Sequence, residues 1–158
     1  NSKLLPAYIE KEFRFGLKNS DVEVLVKGRF DRVDQDHKNN KVRIIDYKST
    51  ENRTAEELEK NAKDSVQLKI YTLAYFKNYG VVPEFVGISD LESGFEGGYG
   101  PKLEEIKKTE EEVLEVAKSI QENSQNDSFP ANPKYFGRQP ACFYCPYNSI
   151  CPFSLTKK

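Results

Sequence analysis

The sequence predicts an α/β domain in which helices flank a mixed central sheet. Segments 9–17 and 22–33 alternate apolar and polar residues as half-buried strands do, and 42–48 is a short run rich in β-branched and aromatic residues. Two helical patterns with a further strand between them follow, and the C-terminal segment is rich in Asn, Ser, Pro and Cys. Consecutive strands followed by alternating helices and strands are typical of a mixed sheet with helices packed against it.

Length and charge exclude several classes of protein. The chain has 158 residues, with 24 Lys and Arg against 25 Asp and Glu, so it presents no overall basic field to a nucleic acid. A polyanion would have to be held by a local patch or by metal ions. No apolar run is long enough to span a membrane and no secretory signal pattern is present, so we expect a cytoplasmic protein without a membrane partner. The chain contains no Met, and we expect it to be part of a longer protein.

The first half of the chain carries clear boundary signals. The polar segment 34–41, which contains Asn39-Asn40, predicts a hairpin loop between the second and third strands. A capping box at Thr54–Glu57 opens a helix, and Gly80 is its expected stop. The apolar positions of this single helix are Leu58, Ala62, Val66, Ile70, Leu73 and Ala74.

The second half predicts a strand at 85–91 and a Gly-rich loop at 94–100. Residues 102–107 are a weaker strand candidate. A second capping box at Thr109–Glu112 predicts the start of another helix, whose apolar residues are Val113, Leu114, Ala117 and Ile120. We interpret 1–128 as the core of the domain and 129–158 as its Cys-rich C-terminal segment.

The predicted hairpin gathers chemically useful side chains. If its turn is centred between Lys38 and Asn39, residues whose numbers sum to 77 face each other, so Asp31 lies opposite Asp46. Because side chains alternate along a strand, Lys48 shares a face with Asp46. Two carboxylates this close repel each other unless a divalent metal lies between them. Two carboxylates and an ammonium group suit metal-assisted phosphodiester hydrolysis.

The pattern Asp-x-Lys alone is weak, because most such triplets are solvated strand residues or surface ion pairs. Its context favours function. Asp46 ends a run of β-branched residues (Val42, Ile44, Ile45), where a solvated face would carry more polar side chains, and a Gly-x-x-Asp pattern at 28–31 lies in register with it.

These segments resemble the PD-(D/E)xK nuclease superfamily, and within it the RecB/AddB-like exonuclease branch that also includes the CRISPR-adaptation nucleases. Residues 28–34 (GRFDRVD) resemble the Gly-x-x-Asp strand of that family, and 46–48 (DYK) resemble its Asp/Glu-x-Lys strand. Residues 67–71 (QLKIY) match its Gln-x-x-x-Tyr helix motif. The resemblance runs from about residue 10 to residue 153 and implies a restriction-endonuclease-like core.

The resemblance also implies roles for individual residues. Asp31, Asp46 and the backbone carbonyl of Tyr47 would hold Mg²⁺ or Mn²⁺, and Lys48 would be the catalytic lysine. Gln67 and Tyr71, which share a helix face, would flank the site and position DNA or Lys48. The alternative for Tyr71 is that it only packs in the core. The alternative for Gln67 is that it is an exposed helix residue without a role in the site. A less certain expectation is that Glu10 or Glu12 approaches the site. Apart from the resemblance, four basic residues are candidates for contacts with phosphates near the site: Lys27, Arg29, Arg32 and Lys69.

Three cysteines, Cys142, Cys145 and Cys151, lie within ten residues. An odd number in one tight cluster is a poor disulfide framework and a better metal or cluster site. The spacing C-x₂-C-x₅-C resembles the late part of the iron–sulfur site in the same nuclease branch, where an additional upstream cysteine completes a [4Fe–4S] cluster. This chain lacks that fourth cysteine. Zinc and three free thiols are the alternatives.

The resemblance therefore implies a metal-dependent DNA nuclease, exonucleolytic on single strands or ends, in DNA recombination or repair. Its partners would be DNA and a helicase domain or subunit. The acidic residue or His that the family carries on an N-terminal helix is missing, so we expect the chain to begin inside the domain. One alternative is an inactive nuclease-like module that binds DNA or acts as a scaffold. Another is a small zinc- or redox-regulatory protein.

Overall fold

The computed structural model describes residues 5–36, 38–39, 41–49, 53–128, 131, 134–136 and 139–156. Within these ranges the residues divide between two compact units, Asn1–Ser119 and Ile120–Lys158. The elements of the first unit are β1 (Leu5–Lys18), β2 (Glu23–Asp36), β3 (Lys41–Lys48), α1 (Ala55–Asp64), α2 (Val66–Tyr79), β4 (Phe85–Asp90), β5 (Glu96–Tyr99) and most of α3 (Leu103–Gln125). The second unit holds the end of α3, the short strands β6 (Tyr135–Phe136) and β7 (Gln139–Pro140), and a 3₁₀ turn at Ala141–Tyr144.

The first unit contains a five-stranded mixed sheet, which confirms the predicted fold class. The strands lie in the order β1-β2-β3-β4-β5, and every neighbouring pair is antiparallel except β3 and β4, which are parallel and connected through α1 and α2. The predicted hairpin register is also confirmed, because Val33 pairs with Ile44 and Arg32 with Ile45.

The core of the first unit lies between the sheet and its helices. Fully buried residues come from β2, β3, β4, α1, α2 and α3, among them Phe30, Ile44, Val86, Leu58, Leu68 and Ile106. Burying side chains of this size stabilises the fold by about 1.5–3 kcal/mol each. None of the helices in the described ranges is long and apolar enough to cross a membrane.

The single helix predicted from Thr54 to Gly80 is two helices. The capping box at Thr54 is present, with the Thr54 hydroxyl accepting from the backbone N–H of Glu57 and the Glu57 carboxylate accepting from that of Thr54. The chain becomes extended at Ser65 (φ −69°, ψ 113°) and a second helix begins at Val66. Val66, predicted as an apolar core position, is therefore 70% exposed. Gly80 ends α2 in the left-handed conformation, as predicted.

The predicted boundaries of the last strand and helix are wrong. Residues 102–107 do not form a strand, because α3 begins at Leu103. Thr109 does not cap this helix; it is buried inside it, and its hydroxyl donates to the carbonyl of Glu105. The actual start is marked by the backbone N–H of Lys102, which donates to the Glu105 carboxylate at 2.7 Å.

Part of the predicted Gly-rich loop is the strand β5. Gly97 lies where a Cβ atom would clash with the backbone of Ala55 and Glu59, so only glycine lets β5 approach α1 this closely. A Cβ atom at Gly98 would clash in the same way with the carbonyl oxygen of Val86 on β4. The glycines thus serve close packing of a strand.

Candidate active site

Asp46 and Lys48 lie at the C-terminal end of β3, on the face that α2 covers. Lys48 Nζ is 2.9 Å from Asp46 Oδ2. Asp46 is buried, with 1% of its side chain exposed, whereas the side chain of Lys48 is 42% exposed. The strand therefore holds a carboxylate inside the protein and presents the neighbouring ammonium group to solvent.

Asp31 on β2 also lies next to Asp46. The regular alternation of side chains between the two faces of β2 is interrupted at Phe30 and Asp31. Phe30 and Asp31 are consecutive, yet both contact Tyr71 on α2: the rings of Phe30 and Tyr71 lie 5.4 Å apart, and the Tyr71 hydroxyl donates to Asp31 Oδ1 at 3.3 Å. Glu10, which the register places opposite Asp31, has a positive φ of 52°. Asp31 Oδ2 accepts a hydrogen bond from the backbone N–H of Tyr47 at 3.0 Å. The side chain of Asp31 thus fixes the backbone between Asp46 and Lys48.

Gln67 connects all the predicted site residues. Its amide nitrogen donates to Asp46 Oδ1 and to the Tyr71 hydroxyl, both at 2.8 Å, and its oxygen accepts from Lys48 Nζ at 3.1 Å. The hydrogen bonds therefore form a chain in which each group donates to the next: Lys48 to Gln67, Gln67 to Tyr71, and Tyr71 to Asp31. The structure brings together the five predicted catalytic residues, Asp31, Asp46, Lys48, Gln67 and Tyr71.

Ser65 was not predicted as part of this arrangement, although it determines where α2 begins. Its hydroxyl accepts from the backbone N–H of Leu68, which makes it the N-cap of the helix that carries Gln67 and Tyr71. Ser followed by a helical pattern is an N-cap signal, and it was hidden by the apolar spacing that runs through the break.

The electrostatics of the site are unfavourable for the ionised form of Asp46. Burial raises the pKa of Asp46; the ammonium group of Lys48 opposes this effect, and the nearby Asp31 carboxylate adds to it. Burial also raises the pKa of the Tyr71 hydroxyl, with further contributions from the carboxylates of Asp31 and Asp46. Two carboxylates gathered in a poorly solvated place favour a cation between them.

Asp46 Oδ2 has capacity to bind such a cation. It is buried, and within the described part of the chain no donor with hydrogen-bonding geometry reaches it, although Lys48 Nζ lies within ion-pair distance. Mg²⁺ is usually bound by one or two carboxylates and keeps several waters. Asp31, Asp46 and the carbonyl of Tyr47 fit this requirement as a donor set. The described residues contain no larger cluster of His, Cys, Asp or Glu suited to a metal ion.

Several other candidates have different partners. Arg32 pairs with Asp34 at 2.7 Å and donates to the Tyr47 hydroxyl at 3.0 Å, and these contacts raise its pKa further. Arg29 pairs with Glu10 at 2.7 Å. In this structure the side chains of Arg32, Arg29 and Glu10 are therefore paired with neighbours on β1, β2 and β3.

The three cysteines do not form a preassembled ligand set. Cys142 and Cys151 are partly buried, Cys145 is exposed, and all three are free thiols. In the described ranges they do not come together as a group that could hold a metal ion. With three thiolates present and four required, these residues do not fit a [4Fe–4S] cluster by themselves. Cluster binding through Cys142, Cys145 and Cys151 stays a prediction that needs a fourth ligand from elsewhere.

Comparison with known proteins agrees with this geometry. The family model described as the PD-(D/E)XK nuclease superfamily matches residues 2–152. A solved structure titled "Crystal structure of SSO0001" is similar in fold, with a TM-score of 0.52 at 19% sequence identity. The match covers 94% of this chain and 61% of that one, so the chain spans about three fifths of the length of the solved protein. A search of the curated proteins finds no match.

A mixed sheet that brings an Asp of one strand next to an Asp-x-Lys pattern on the neighbouring strand is typical of nucleases that use a divalent metal. The chain belongs to the PD-(D/E)XK nuclease superfamily.

Proposed function

We propose that this protein is a Mg²⁺- or Mn²⁺-dependent deoxyribonuclease that removes nucleotides from single strands or strand ends. Its resemblance to the RecB/AddB-like branch suggests work in DNA recombination or repair beside a helicase domain or subunit. Buried Asp46 carries the proposal: it lies next to the Asp31 carboxylate, with Lys48 Nζ 2.9 Å from its Oδ2 atom, and two carboxylates held together in a poorly solvated place favour a cation.

Each site residue has a distinct role in this proposal. Asp31, Asp46 and the Tyr47 carbonyl would hold the metal, which would supply Lewis-acid activation of a phosphate and of a water molecule. Lys48, whose side chain is 42% exposed, is accessible to the phosphate and the attacking water. The amide of Gln67 keeps the ammonium group of Lys48 close to Asp46, because its oxygen accepts from Lys48 and its nitrogen donates to Asp46. Tyr71 orients Asp31.

The direct test is cleavage of an end-labelled single-stranded DNA with Mg²⁺ or Mn²⁺. We expect Asp46→Ala and Lys48→Ala to lower kcat/KM by about three orders of magnitude, since each removes several kcal/mol of transition-state stabilisation. Asp64→Ala is the matched control, because Asp64 is an exposed carboxylate at the end of α1, and we expect wild-type cleavage from it. Wild-type cleavage by both site variants would overturn this assignment.

Two further measurements separate the finer parts of the proposal. Circular single-stranded DNA stays intact if the enzyme needs an end, and its cleavage would show an endonuclease. Calorimetric titration with Mn²⁺ reports on the site without turnover. Binding that Asp46→Ala abolishes, together with no cleavage by the wild type, would favour the alternative of an inactive nuclease-like module.

A further inference from the structure

The C-terminal segment differs from the rest of the chain in charge. Residues 128–158 contain four Lys or Arg and no Asp or Glu, whereas residues 1–127 contain 20 Lys or Arg and all 25 Asp and Glu. The last fifth of the chain therefore carries a formal net charge of +4, against −5 for the rest, because it lacks acidic residues. Such an asymmetry within one chain is typical of contact with a polyanion.

The same segment is rich in aromatic residues. It holds seven of the 19 Phe and Tyr residues of the chain. The aromatic side chains described there are exposed, between 60% and 71%: Phe143, Tyr144, Tyr147 and Phe153. Phe143 and Tyr144 contact each other, with ring centroids 5.2 Å apart, and all four aromatic residues lie within eleven positions of the chain. Exposed apolar side chains concentrated in one segment are typical of a binding surface.

Local hydrogen bonds hold these aromatic residues in place. Successive turns are closed by the backbone N–H groups of Cys145, Asn148 and Cys151, which donate to carbonyls three or four residues earlier. The Tyr144 hydroxyl donates to Gln139 Oε1 at 2.9 Å, and its ring packs edge-on against Phe143. Five of the eight prolines of the chain also lie in 128–158. A surface ordered in advance loses less entropy when it binds.

We infer that the exposed aromatic surface formed by Phe143, Tyr144, Tyr147 and Phe153 binds single-stranded nucleic acid by base stacking. Proteins that bind single strands combine positive charge along the backbone with aromatic rings on which the bases stack. An apolar protein partner would explain the exposed rings but not the absence of acidic residues. A duplex would suit the positive charge, but its bases are not free to stack on the rings. The inference extends the proposed digestion of single strands to a second contact with the substrate.

The test measures binding alone. Full-length protein is titrated into a fluorescein-labelled oligo(dT) of about 12 nucleotides, within the usual site sizes, and fluorescence anisotropy is recorded in EDTA so that metal-dependent cleavage cannot occur. We expect Tyr147→Ala and Phe143→Ala each to weaken binding on the order of ten-fold. Tyr147→Phe keeps the ring and should bind within about two-fold of the wild type, since stacking needs only the π-face. Ile150→Ala is the matched control, because Ile150 is apolar and 75% exposed but cannot stack.

Three outcomes would overturn the inference. The alanine variants of Tyr147 and Phe143 could bind as tightly as the wild type. Ile150→Ala could weaken binding as much as they do, which would indicate a general apolar surface. Binding to a duplex of equal length, or to anionic lipid vesicles, could be as tight and as sensitive to Tyr147→Ala as binding to the single strand. Circular dichroism of each variant checks the fold, which we expect to be unchanged because these side chains are exposed.

The result is separable from the proposed nuclease activity. Asp64→Ala, the control of the cleavage assay, should bind oligo(dT) as the wild type does, because Asp64 is an exposed carboxylate outside the aromatic surface. Loss of binding in Tyr147→Ala with no cleavage by the wild type would support the inference and contradict the proposed function. Cleavage that depends on Asp46, together with unchanged binding by Tyr147→Ala, would support the proposed function and contradict the inference.

Discussion

The two units of the chain use their aromatic residues in opposite ways. In the first unit Phe13, Phe30, Tyr71 and Tyr75 are buried and contact one another through ring pairs 4.6–6.2 Å apart. In the second unit the aromatic side chains that the structure describes are exposed. The contrast indicates that the first unit uses aromatic surface to fold and to position Asp31, while the second keeps it available to a ligand.

The same substitution in both units should sharpen this contrast most. Phe30→Ala removes a ring that is 1% exposed and should lower the free energy of unfolding by about 3–5 kcal/mol. Phe143→Ala removes a ring that is 60% exposed and should change it by no more than about 0.5 kcal/mol. Urea denaturation followed by circular dichroism measures both. Comparable losses in the two variants would mean that Phe143 is buried in solution.

A second pair of substitutions tests how tightly the first unit is packed. Gly97→Ala places a Cβ against the backbone of α1 and should cost about 1–3 kcal/mol, because a backbone cannot move aside as a flexible side chain can. Gly16→Ala adds the same methyl group where nothing lies within 4 Å and should be nearly neutral. Thermal unfolding provides the comparison. A neutral Gly97→Ala would contradict the close approach of β5 to α1.

The smallest expected effect concerns the charge that the first unit buries. The pKa of Asp46 is raised above its usual 3.8, so the folded protein holds this proton more tightly than the unfolded chain does. Without metal, stability therefore falls as the pH rises from 3.8 through the raised pKa, and it stays lower above it. Asp46→Asn should avoid this loss and therefore have a higher Tm than the wild type at neutral pH in the absence of metal.

The same variant separates stability from metal binding. Mn²⁺ should raise the Tm of the wild type, because a ligand that binds only the folded state stabilises it, and should leave Asp46→Asn unchanged. Asp64→Asn, at an exposed carboxylate, should respond to Mn²⁺ as the wild type does. A wild-type response in Asp46→Asn would remove Asp46 from the metal site.

The sequence was informative where one strong signal acted alone. The register of the hairpin was a hypothesis that centred the turn in a polar loop between two strands, and it placed Asp31 opposite Asp46. The pairs Val33–Ile44 and Arg32–Ile45 confirm that register. The apolar pattern of β3 alone did not fix it, because Ile44 and Ile45 are both buried although they point to opposite faces of β3. Gln67 and Tyr71 followed from helical spacing together with the family resemblance.

The sequence was misleading where packing overrode a local signal. Apolar spacing continued through Ser65, so the helix break was missed, although that break makes Gln67 a first-turn residue of α2. Gly97 and Gly98 have no side chains to reveal a strand, although the absence of Cβ atoms is what lets β5 approach α1 and β4 closely. Phe30 and Asp31 both contact Tyr71, which lies 40 residues from Asp31, so the local alternation of β2 did not predict this arrangement.

The distances along the chain within the site also have a consequence for synthesis. The hydrogen bonds that join Asp31, Tyr47, Asp46, Gln67 and Tyr71 across the site span 16 to 40 residues. At roughly 5–20 residues per second, Tyr71 is made about 2–8 s after Asp31. During that interval the carboxylate of Asp31 exists without its partner hydroxyl. A growing chain therefore lacks the complete constellation, and it would acquire the means to cut a nearby nucleic acid only once α2 has folded onto the sheet.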